Sequence, residues 1–181
     1  MISGMESQSL HLLLEHYLEA RGDRRMPARG DIDATRLGPV LPIIWVNAYE
    51  PDAGTFRYRL AGEEVNAIFG APIAGRLLSD FVNGKRFDQV NGNFLRVVRE
   101  EQAMLARGPM YRCADRIALG ERLALPLSSD GTTADGIIGA TARNSLVDFD
   151  AVQLTAQTVT FLPVDDLGRN SDGLATGSSG S

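Results

Sequence analysis

The segment Phe56-Arg57-Tyr58-Arg59-Leu60 alternates bulky apolar and charged residues, runs straight into Ala61-Gly62, and then becomes a short helical stretch that stops at Gly70. An ordinary hairpin would turn back into a second strand. This chain instead leaves its sheet at a glycine and makes a helical detour, which calls for a sheet with a helical layer laid over it. Phe56, Tyr58 and Leu60 are expected on one face of the strand, with Arg57 and Arg59 on the other. Glu63 to Phe69 reads as the helix and would lay Val65, Ile68 and Phe69 back over the sheet. Those apolar residues serve equally a filled core or one wall of a small cavity, and both readings stay open.

The flanking segments supply the remaining layers. Ile43 to Tyr49 reads as a buried strand, joined to Phe56–Leu60 by a turn holding Pro51, Asp52 and Gly54. Before it, residues 7–21 carry Leu10, Leu13, Leu14, Tyr17 and Leu18 on one helical stripe, stopped by Gly22. Residues 24–42 hold three prolines and are expected to be mostly irregular, with one helical turn, Asp33 to Leu37, capped by Asp33. After the detour, "GAPIAGRLLSDFV" reads as a turn and a further helical turn. The longest helix is expected from Phe87 to Arg107, with Phe87, Val90, Phe94, Val98, Glu101 and Leu105 along its stripe and Gly108-Pro109 as its end. Met110–Leu119, Arg122–Ser128 and Gly136–Ala142 read as strands, with Gly120-Glu121 as a tight turn. Leu123, Leu125 and Leu127 alternate towards one face, while the register of the preceding strand is ambiguous. "TVTFLPV" reads as another strand or an extended cover.

Length and composition bound the rest. A chain of 181 residues suits one domain with appendages. It divides into a helix at 1–24, a domain at 25–145, an extension at 146–170, and a Gly/Ser-rich tail at 171–181 that is flexible or a leftover of expression. A net charge of −5 with dispersed arginines argues against nucleic acid as a partner. The single cysteine, Cys113, excludes an internal disulfide and fits a reducing compartment. No apolar run approaches the roughly 18 residues of a membrane span, and Glu6, Glu15 and His16 interrupt any leader-like core. A cytoplasmic protein without a membrane partner is expected.

Four blocks carry a resemblance: "PARGDIDATRLGPVLP", "EPDAGTFRYRLAGEEVNAIFG", "AGRLLSDF" and "LALPLSSDGTTADGIIGA", in order over residues 25–143. They resemble the successive blocks of bacterial, stand-alone, single-domain PAS proteins. The resemblance implies an α+β fold with a five-stranded antiparallel sheet and helices over one face, plus the N-terminal amphipathic helix lying outside the match. It also implies a ligand pocket between sheet and helices, and a role as a sensor or a dimerising adaptor in signal transduction.

Candidate residues follow. Trp45, Tyr58, Phe69 and Leu77, with Phe81, Phe94 and Leu125, are expected to line the interior space, and Asn91 could orient a ligand there. Arg76 is either a cap or ion pair near Asp80 or a contact to an anionic ligand group. The stripe Leu10, Leu13, Leu14, Tyr17 and Leu18 must be buried, on a second copy or on its own sheet; a homodimer interface is expected, alongside an unidentified signalling partner. No cofactor is expected. The two histidines, His11 and His16, sit on the N-terminal helix and read as surface or interface residues rather than haem ligands, and Cys113 stands in "YRCADR" rather than in a flavin-reactive motif. No spacing suggests a metal site, "GAPIAG" is not a phosphate loop, and no paired carboxylates or nucleophile–base set points to catalysis. A non-catalytic protein is therefore expected; the rival reading is a structural interaction module with a filled core and no ligand, and a small enzyme on an α+β fold comes third.

Overall fold

The structure, a computed structural model, describes residues 2, 4–113, 116–148 and 157–168. The expected tail at 171–181 lies outside them, as do the side chains of Arg112 and Cys113. Helix α1 (Gln8–Arg21) leads into an irregular stretch with a 3-10 run at Ala34–Val40, where Asp33 accepts from the Thr35 amide as a cap. Strands β1 (Ile44–Glu50) and β2 (Thr55–Ala61) form the expected hairpin across a turn at Pro51–Ala53, closed by Gly54 in the left-handed region. Helix α2 (Glu63–Phe69), a 3-10 turn at Leu78–Asp80 and helix α3 (Gly84–Arg99) follow. Strands β3 (Gln102–Cys113), β4 (Arg116–Ser128), β5 (Ala134–Asp148) and β6 (Thr158–Pro163) complete one antiparallel sheet in the order β2-β1-β5-β4-β3-β6. The fold is α+β, and its sheet carries a sixth strand because β6 pairs along β3.

The long helix is shorter than its sequence pattern. It ends at Arg99, Glu101 turns the chain with φ +51°, and β3 begins at Gln102. Ala103, Met104, Leu105 and Ala106 are all at most 3% exposed. A strand covered on both faces is a continuous apolar run, through which a helical period is drawn as easily as an extended one. Pairing with β4 on one side and β6 on the other overrides the helical propensity of these residues. The hairpin therefore shifts too: Gly120 and Glu121, expected as a turn, lie inside β4 opposite Gly108 and Arg107.

Both faces of the sheet are covered. Trp45 and Tyr58 face α2 and α3, while Ile44, Val46, Leu127 and Ile138 face Leu37 of the 34–40 run. Helix α1 packs beside that run, where Nε2 of buried His16 accepts from the Asp33 amide at 3.0 Å. Leu10, Leu13, Leu14 and Tyr17 are between 0 and 4% exposed within this one chain, and the Tyr17 hydroxyl donates to the Pro126 carbonyl at 2.8 Å. These four side chains are already spent on the chain's own core, so they do not form an interface with a second copy in this conformation; Leu18 is half-buried against the same core.

The expected row Phe56, Tyr58, Leu60 is also broken. Val46 pairs with Leu60 and Asn47 with Tyr58, leaving Arg59 as a bulge that turns Leu60 to the other face, where it is 42% exposed. Gly62 then makes the exit from β2. Its backbone is ordinary, with φ −67°; glycine is required because a Cβ would stand 2.1 Å from the Leu41 carbonyl oxygen. The detour thus begins where β2 passes tightly over the chain entering β1.

Candidate functional site

Between the sheet and the α2–α3 layer lies a cavity of about 460 Å³. Its floor comes from the sheet: Trp45 of β1, Tyr58 of β2, Met110 and Tyr111 of β3, and Arg122 of β4. Its roof comes from the detour and beyond: Val65, Ile68 and Phe69 of α2, Leu78, Phe81 and Val82 around the 78–80 turn, and Arg86 and Val90 of α3.

Seven contacts run around this space and close on themselves. The Trp45 and Tyr58 rings lie 6.0 Å apart, Tyr58 and Phe81 5.3 Å, Phe81 and Phe69 4.8 Å, and Phe69 and Tyr111 5.9 Å, the last three edge to face. The Arg122 guanidinium lies 5.1 Å from the Tyr111 ring centroid. Its Nε donates to Thr141 Oγ1 at 3.0 Å, and the same oxygen accepts from Trp45 Nε1 at 3.2 Å, which returns the circuit to its start. Five aromatic rings, a hydroxyl and a cation therefore brace one another around the cavity. Gly139 makes room for this on β5: a Cβ there would stand 2.3 Å from the Trp45 ring.

The polar groups are few. Burial pushes the Tyr58 phenol well above its ordinary range, with Arg122 drawing it partly back, so the hydroxyl stays neutral. Asn47, paired with Tyr58 across the hairpin, is fully buried, and its amide beside the phenol draws the Tyr58 pKa back as well, less than Arg122 does. Arg86 donates to the Met110 carbonyl, and its pKa is lowered by burial and then by the neighbouring charge of Arg122. Among the described residues, no aspartate or glutamate lines the cavity.

Of the residues the sequence put forward, Trp45, Tyr58, Phe69 and Phe81 line the space together. Phe94 does not: its ring fills the core behind Trp45, 5.1 Å away, and against Phe56 at 5.6 Å. Leu77 is replaced by Leu78, because residue 77 is extended and bridges to Arg57, so the next side chain points inward. Leu125 sits on the opposite face of β4, in the row of Leu127 that faces the 34–40 run. Asn91 ties the hairpin end instead, accepting from Thr55 Oγ1 at 2.9 Å and donating to the Gly54 carbonyl at 3.1 Å. Arg76 closes the 78–80 turn, donating to the Asp80 carbonyl at 2.9 Å and lying 5.5 Å from the Phe81 ring.

Sequence reasoning missed Arg122, Tyr111, Arg86 and Thr141. The available signal was a lone arginine inside the apolar run "LGERLALPLS", opposite in phase to Leu123, Leu125 and Leu127; the supposed turn at Gly120-Glu121 hid it at a strand end. Among the described residues, no group of three or more His, Cys, Asp or Glu side chains gathers as a metal site, and no helix is long and apolar enough to cross a membrane. A family model described as a PAS domain matches residues 5–142, which takes in α1 as well as β1 to β4. No curated protein matches the chain.

Proposed function

We propose that this chain, which belongs to the PAS-domain family, is a non-catalytic sensor that holds a small molecule in the cavity between its sheet and the α2–α3 layer. PAS domains are in general sensory or interaction modules. The observation that carries the ligand reading is the cavity itself. Its volume of about 460 Å³ falls in the roughly 300–1,000 Å³ range of small-molecule sites, and its walls are mostly apolar, five of the lining residues being aromatic, with a few convergent polar groups.

The signal route runs through α3. Val90 and Arg86 line the cavity from this helix, and further along it Arg96 lies 4.1 Å from the ring of Phe161 on the edge strand β6. An occupant that repositions α3 therefore changes how β6 is held against β3. The output is a partner protein or a second copy docking where that edge changes. Native mass spectrometry of freshly purified protein is the test. A retained small molecule, or a thermal shift with members of a metabolite library, is the expected result. A protein with neither would overturn the reading.

A second reading, an interaction module with no ligand, is favoured by one observation: Leu41 and Leu60 are 39% and 42% exposed beside the same apolar cleft on the far face of the sheet. Solution mass measurement with Leu60→Asp tests it, and association lost in that variant supports it.

A further inference from the structure

Arg122 is buried to 7% exposure in the middle of β4, and a guanidinium carries a positive charge into that site. A guanidinium carries five N–H donors, and among the described residues only Nε has a hydrogen-bond partner, Thr141. No carboxylate among the described residues pairs with it. The second cation on the cavity, Arg86, has a backbone carbonyl as its hydrogen-bond partner and, among the described residues, no carboxylate either. Most other described arginines that form ion pairs lie at the surface with an acidic partner in place, as Arg57 and Arg59 do on Glu50 and Arg143 on Glu64. A buried cation left without a counter-charge is costly, and two that face one apolar space repel each other as well.

From this we infer that the occupant is a monocarboxylate with an aromatic or similarly flat apolar body, its carboxylate on the free edge of the Arg122 guanidinium. This rests on the sensor reading and names its ligand class. The guanidinium fork matches a planar carboxylate in shape, and with Nε turned to Thr141 the two terminal nitrogens are left to meet both oxygens. Trp45, Tyr58, Phe69, Phe81 and Tyr111 offer faces and edges to a flat body, not the hydrogen bonds that a more highly charged phosphate or a sugar would need. Arg86, more exposed than Arg122, adds attraction along the way in.

Matched pairs of probes test this on the full chain: phenylacetate, phenylbutyrate and indoleacetate, each against its primary amide, by calorimetric titration at neutral pH. The expected result is that at least one acid binds about tenfold or more tightly than its amide. Arg122→Met should erase that preference while leaving amide affinity alone, and Arg86→Gln should weaken the acid by a smaller factor. The wild-type ratio decides even if Arg122→Met fails to fold. Acids and amides binding equally would overturn the anion inference and leave the sensor reading standing. No binding by any probe at about 1 mM would overturn the inference of an aromatic acid, while the sensor reading falls only if no retained molecule and no thermal shift are found.

Discussion

Glu121 anchors the start of helix α1 from a distance of more than a hundred residues in sequence, and removing it should destabilise the fold. Its side chain is 4% exposed in the middle of β4. One carboxylate oxygen accepts from the Ser7 amide at 2.8 Å and the Glu6 amide at 3.0 Å, and the other accepts from Arg107 Nε at 3.0 Å. Ser7 is the N-cap of α1, its own side chain caps nothing, and the first turn of the helix holds no acid. Glu121 thus does from a neighbouring strand what an acidic residue in the first turn would otherwise do, and it brings negative charge to the positive end of the helix. In Glu121→Ala two partly buried amides lose a charged acceptor, at about 1.5–2 kcal/mol each. The lost ion pair with Arg107, which is 37% exposed, adds less than about 1 kcal/mol. The expected loss is about 3–4 kcal/mol, and about half that for Glu121→Gln, which keeps one acceptor. With a urea dependence near 2 kcal/mol per molar, the Ala variant should unfold at roughly 1.5–2 M less urea. Arg107→Ala, which leaves the cap intact, should move the midpoint by less than about 0.5 M. An Ala variant that unfolds within about 0.3 M of the parent would refute the capping argument.

Gly139→Ala should push the Trp45 ring from its place on β5, costing about 1–3 kcal/mol; since the chain has one tryptophan, its emission spectrum reports the shift directly, and an unchanged spectrum with unchanged stability would contradict the packing described. Leu14→Glu should cost several kcal/mol of stability in urea unfolding, because Leu14 is 4% exposed inside its own chain; a stable, folded variant that merely changes its association state would return α1 to the surface. Raising the pH should weaken the fold: burial lifts the Tyr17 and Tyr58 phenols above their ordinary value, so their contribution is whole below about pH 10 and declines above it as the unfolded state ionises first. Asp31, Asp33 and Asp130 are held below the usual carboxylate range, chiefly by hydrogen bonds from Ala28, Thr35 and Ser128 respectively, so their contribution is whole above about pH 4 and is lost as pH falls further. Urea midpoints measured across pH check both signs, and a midpoint flat on the alkaline side would refute the first.

Local chemistry was legible in the sequence wherever a few neighbouring residues decide the outcome. The stripe of α1 and its stop at Gly22, the Asp33 cap, the hairpin turn ending in Gly54, and α2 from Glu63 to Gly70 all rest on short-range rules of spacing, capping and left-handed glycine. Four of the aromatic wall residues were legible for the same reason, since they sit on or beside those elements. Tertiary structure decided the rest. Residues 102–107 are a strand because β4 and β6 lie on either side, and nothing in their own composition says so. Alternation along β4 divides its residues into two sets, but it cannot say which set meets which layer when both faces are covered, so Leu125 was expected in the cavity where Arg122 stands. A buried arginine without a carboxylate has no local signature at all. It becomes visible only once β3, β4 and β5 bring Tyr111, Arg122 and Thr141 together, because its surroundings come from strands that meet only in the folded sheet.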